Sequence, residues 1–132
     1  MTRLHYWLHA KTQYDIHSPF LFEMYREVLF ARMSAADCHR LGIPRHDRCS
    51  QVAYKCCNHY HLAPVASSQP GRLCEGLQLS IFIVDRPHAS HAAERQWETL
   101  KADPSYQVSL DLYDIALLIR NPHLHPQHLL LR

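Results

Sequence analysis

The stretch 79-LSIFIVD-85 is apolar at four consecutive positions, Ile81 to Val84, and rich in branched and aromatic side chains. That is the pattern of a strand buried on both faces, closed by Asp85. The residues after it continue the same logic. Ser90 is placed to cap a helix from about His91 to Ala102, with Ala93, Trp97 and Leu100 on one face and Asp103-Pro104 stopping it. In YQVSLDLYDIALLIR, Tyr106 to Arg120, the residues Val108, Leu110 and Leu112 alternate with polar ones, and Ile115 to Ile119 is a second apolar run. These read as two adjacent strands. Leu129 to Leu131 adds a short edge strand. Residues 79–132 thus form a β-α-β-β unit.

Upstream, residues 1–33 are helical in pattern. Leu4, Trp7 and Leu8 form one stripe, and Leu21, Met24, Tyr25, Val28 and Leu29 form another at spacings of three and four. Both stripes are read as core. Ser18-Pro19 starts the second helix, because the hydroxyl can cap free amides and proline suits the first helical position. Between them, residues 34–78 hold all five cysteines and all three glycines and keep neither a helical nor a strand period. Pro64, Ser67, Ser68, Pro70 and Gly71 read as loop, so this Cys/His-rich segment is expected to be irregular.

A chain of 132 residues can build one modest core, burying roughly two thirds of its unfolded surface. The formal charge of +2 is too small for a nucleic-acid or anionic-membrane footprint. The apolar runs are far shorter than the ~20 residues that cross a bilayer, and Lys11 interrupts any leader-like start. A cytoplasmic protein with reduced thiols is expected, since an odd cysteine count without a secretion signal argues against a disulfide framework. The twelve histidines would make it more cationic on mild acidification.

The segment YWLHAKTQYDIHSPFLFEMY, Tyr6 to Tyr25, resembles the N-terminal element of a family of bacterial class I S-adenosylmethionine-dependent methyltransferase-like proteins, with its His-Ser-Pro-Phe signature. FIVDRPHAS, ERQWETLKADP and VSLDLYDIALLIR resemble the end of the same family, in the same order. The resemblance implies an α/β fold: two N-terminal helices and a remnant of a Rossmann-like sheet, with an antiparallel last strand, around the irregular middle. It also implies S-adenosylmethionine across the carboxyl ends of the first strands. Those strands should lead into a glycine-rich turn that lets the backbone approach the cofactor. Gly42, Gly71 and Gly76 provide no strand-glycine-helix context. The chain therefore reads as a truncated or degenerate methyltransferase-like protein that neither binds the cofactor nor transfers methyl groups. The composition change after Met33, reversed near Leu79, is consistent with a lost core and a middle read from another frame.

Asp85, at the mouth of the sheet, and His88, as a base, are the catalytic candidates. Asp85 has Arg86 beside it, which disfavours a metal, and none is assigned. The resemblance offers His17 and Ser18 as pocket-lining, cofactor-binding residues, against a bland reading of Ser18 as a cap and His17 as packing. Two other functions stay open. One is an enzyme that holds its cofactor in another way. The other is a small zinc-binding or protein-interaction module built on His46, Cys49, Cys56 and His59, with Cys57 and His61 as further donors. Loss of the middle strands would leave Ile81 to Asp85 with an open edge, and self-association through that edge is expected.

Overall fold

The computed structural model describes residues 2–10, 18–30, 32–66 and 71–131. At its centre lies the apolar run, strand β3 (Ser80–Asp85), in which every residue but Asp85 is buried. It belongs to a six-stranded mixed sheet with β1 (Ala63–Val65), β2 (Arg72–Glu75), β4 (Val108–Asp111), β5 (Ile115–Arg120) and β6 (Gln127–Leu130). The spatial order is β1-β2-β3-β5-β4-β6. β5 runs antiparallel to both its neighbours, with Ile81 opposite Ile119 and Leu110 opposite Leu117. β3 and β4 therefore point the same way. They are joined by helix α5 (His91–Lys101), which Ser90 caps by accepting from the Ala93 amide at 3.1 Å.

Because side chains alternate across a strand, the sheet buries two separate sets. Ile81, Ile83, Val108, Leu110, Leu117 and Ile119 enter one cluster together with helices α2 (Pro19–Met24) and α4 (Arg48–Tyr60). Phe82, Val84, Ala116 and Leu118 enter the other, against Trp97 of α5. The sheet thus has helices on both faces, and each fully buried Ile or Leu contributes about 1.5–3 kcal/mol.

The two N-terminal helical stripes fare differently. The stripe of the second helix is buried as read, from Leu21 through Leu29, with α2 continuing as a π-helical segment, Tyr25–Phe30. The stripe of the first is not. In α1 (Arg3–His9), Leu4, Trp7 and Leu8 are 69%, 56% and 63% exposed. The opposite face docks instead: the Tyr6 hydroxyl donates to the backbone carbonyls of Asp111 and Leu131, and Arg3 lies over the Tyr113 ring at 4.8 Å. Tyr6 itself is buried, and its ring packs edge-on against Tyr113 with centroids 5.2 Å apart.

The middle segment, expected to be irregular, holds helix α3 (Ala35–Leu41), α4 and strands β1 and β2. α4 has a regular buried face after all, made of Cys49, Val52 and Cys56 at helical spacing. Free cysteine is among the most buried residue types and packs as a small hydrophobe. Gly42 ends α3 at φ 69°, and Gly71 brings β2 so close to β3 that a β-carbon there would meet the Ile83 carbonyl at 2.2 Å. β2 pairs antiparallel with β3, Cys74 opposite Ile81. β3 therefore has partners on both sides, and the open edge expected there is closed by the middle segment. The sheet ends at β1, which carries Pro64, and at β6. Among the described residues, no helix is long and apolar enough to cross a membrane.

Candidate functional site

Asp85 ends β3 at the carboxyl side of the sheet, where α/β proteins build their sites. It lines a cleft of about 640 Å³ with Arg32, Arg45, His46, Asp47, Arg48, Gln51, Arg86 and Asp114. Local backbone geometry makes this mouth. Arg86 at φ 45° and Tyr113 at φ 70° both adopt the left-handed region, and the Arg86 amide donates to the Asp114 carbonyl at 2.9 Å. Each such non-glycine residue costs about 1–3 kcal/mol and persists only where its surroundings enforce it.

The cleft is charged with both signs. Arg86 Nε lies 3.6 Å from the Asp85 carboxylate. Arg48, from the first turn of α4, donates to the Leu29 carbonyl at 3.2 Å and sits 3.9 Å from Asp114. Burial pulls the Arg48 guanidinium below its ordinary range, opposed by the Asp114 carboxylate and reinforced by the nearby charge of Arg32. Cys49, on α4, is buried and donates to the Ile83 carbonyl at 3.7 Å. Burial, with Asp85 and Asp47 nearby, pushes its thiol up to about 12, so it offers no nucleophile at neutral pH. The arrangement can recognise a polar or charged group.

His88 does not open onto this cleft. Its side chain is 4% exposed and bridges two carboxylates, Nδ1 to Glu94 at 2.9 Å and Nε2 to Asp111 at 2.6 Å. Its ring stacks on Tyr113 with centroids 5.2 Å apart. Both ring nitrogens are thus engaged by carboxylates within the protein in this geometry. The triad fastens the β3–α5 connection to β4. Buried Asp111 is also the residue whose carbonyl receives Tyr6, so α1, β4 and the His88 turn share one junction.

Ser18 caps α2, accepting from the Leu21 amide at 3.4 Å, and is not among the residues lining the cleft. His17 lies outside the described residues. The four zinc-donor candidates do not converge: Cys49 and Cys56 face the core, His46 borders the cleft, and His59 bonds Glu23. Among the described residues no group of three or more His, Cys, Asp or Glu is placed to hold a metal. Arg48 and Asp114 were not visible as site residues in the sequence. Only the Asp85-Arg86 end of the strand signalled this mouth, because the others arrive from α4 and from the β4–β5 turn.

Comparisons with protein-family models, with curated proteins and with solved structures find no match for this chain.

Proposed function

We propose that the chain is a degenerate member of the S-adenosylmethionine-dependent methyltransferase-like group, keeping the end of a Rossmann-like sheet without methyl-transfer activity. The observation that carries this reading is the placement of β5, antiparallel between the parallel strands β3 and β4 that α5 connects. This is the antiparallel last strand that the resemblance of residues 79–120 implies.

The chain does not fit the cofactor. Gly42 terminates α3, Gly71 is pressed against the Ile83 backbone, and Gly76 donates its amide to the Leu79 carbonyl in the β2–β3 turn. None lies between a strand and a following helix, so the described residues offer no glycine turn of the required kind to approach a nucleoside. The space beside β3 is filled by β2, an antiparallel hairpin strand, rather than by a parallel strand with its own loop.

Calorimetric titration of the full chain with S-adenosylmethionine tests this. No saturable heat is expected at ligand concentrations up to about 1 mM. A dissociation constant below ~100 μM, worth more than ~5 kcal/mol, would need a formed pocket and would overturn the reading.

A further inference from the structure

The second cleft of the molecule, about 730 Å³, lies between α4 and the β1–β2 hairpin, and two of its lining residues are cysteines, Cys57 and Cys74. Cys57 is on the last turn of α4 and is half-buried; Cys74 is in β2 and is 1% exposed. The Cys74 sulfur reaches the Ala53 carbonyl at 3.8 Å, and Ala53 is one helical turn before Cys57. Cys57 also packs against the buried cluster that contains Cys74, so the two side chains meet at the floor of the cleft. A helix end and a strand thus present paired sulfurs to one solvent-connected hollow. The other cysteines do not share this setting: Cys38, Cys49 and Cys56 are buried and do not line the cleft.

We propose that Cys57 and Cys74 are a reversible dithiol/disulfide site, oxidised by a peroxide that enters through this cleft. Cys57, the accessible partner, reacts first. Its sulfur attacks a peroxide oxygen, the O–O bond breaks, Cys57 becomes a sulfenic acid, and one water leaves. The Cys74 sulfur then displaces the hydroxyl from Cys57, the S–S bond forms, and the thiol proton leaves with that hydroxyl as a second water. Two thiols and one hydrogen peroxide give one disulfide and two waters, with two electrons passing from sulfur to oxygen. A dithiol reductant reverses the change by exchange. Burial, together with the neighbouring Cys57, holds the Cys74 thiol well above the ordinary range, in keeping with Cys57 being the thiol that meets the peroxide first. Once closed, the bond ties α4 to β2 and encloses β1 in a covalent loop, which restricts the unfolded chain.

The test is to treat the full chain with hydrogen peroxide, alkylate the remaining thiols with iodoacetamide, and map the peptides by mass. The expected result is a cross-linked peptide joining Cys57 to Cys74, a loss of two alkylatable thiols, and full recovery with dithiothreitol. Cys57→Ser and Cys74→Ser should each abolish the link, and Cys38→Ser should keep it. A link through Cys49 or Cys56, sulfinic acid at Cys57 with no link, or all five thiols still alkylated would overturn the proposal. The map of the unsubstituted chain decides the matter by itself, so a variant that folds poorly does not blunt the result.

Discussion

Helices α4 and α5 cover opposite faces of one sheet by different means. α5 inserts one fully buried large side chain, Trp97, which is 1% exposed and meets Phe82, Val84, Ala116 and Leu118, with the partly buried Leu100 of the same helix packed beside it. α4 lays down small ones, Cys49, Val52 and Cys56, and shares its face with Leu21, Met24, Val28 and Leu29 of the second helix and its π-helical extension. One face therefore hangs mainly on one residue. The other distributes its burial over two helices and depends on α4 being correctly started and stopped.

Truncating Trp97 should give the largest effect. Trp97→Ala is expected to cost about 3–5 kcal/mol, since Trp97 is the largest side chain of this buried cluster and its loss leaves a cavity there. Urea unfolding measures it. A loss below ~1 kcal/mol would mean that α5 is not the element closing this side of the sheet.

On the α4 face the sensitive point is the cap. Asp47 accepts from the Ser50 amide at 3.0 Å and from its hydroxyl at 2.8 Å. Asp47→Ala should cost about 1 kcal/mol. Burial alone would push the Asp47 carboxyl up, but the two Ser50 bonds, with Arg72 and His46 nearby, hold it below the usual carboxylate range. A carboxyl depressed in the folded state gives stability that is fully present above its ordinary value. That stability is lost as the pH falls below this value and through the folded one. The difference in stability between Asp47→Ala and the unsubstituted chain should therefore shrink on acidification from pH ~6 toward pH ~2, and a gap that widened would contradict the assignment.

The smallest effect belongs to α1. Leu8→Lys should change stability by no more than ~0.5 kcal/mol, because that side chain already faces water. Had the Leu4, Trp7 and Leu8 stripe been core, the same change would cost several times more. Urea midpoints of Leu8→Lys and Tyr6→Phe, compared side by side, separate the two faces. Tyr6→Phe removes the hydroxyl donor to the Leu131 carbonyl, while the Asp111 carbonyl keeps the Leu131 amide, and should be the more damaging by about 1 kcal/mol.

The same contrast explains what could be read from residues alone. LSIFIVD, the Ser90 cap and the Ile115 to Ile119 run carry their structure in apolar periods and capping chemistry, and the strands and α5 follow them closely. β4 was read as alternating wet and dry, yet Ser109 and Asp111 are buried too, bonded to His128 and His88. Partners that arrive from distant residues turn polar positions into interior ones. α4 was hidden because two of its three core positions are cysteines, which chemistry invites one to read as metal donors. Asp85 was placed at the mouth by strand position alone, but its companions Arg48 and Asp114 come from elements whose approach no local pattern encodes. For His88, the position after a strand end gave no sign that Glu94, six residues on, and Asp111 of β4 would both hold its ring.

The middle segment folds onto β3 and closes a side of that strand that would otherwise be an open edge. Amide hydrogen exchange read by mass spectrometry on the reduced chain tests it directly. Peptides covering Arg48–Tyr60 and Arg72–Glu75 should be protected along with those covering Ser80–Asp85, because β2 and β3 satisfy each other's backbone groups and α4 packs over them. Exchange of 48–60 and 72–75 at the rate of an unstructured chain, with protection confined to 80–85 and 108–120, would contradict the account. It would return β3 to an open edge.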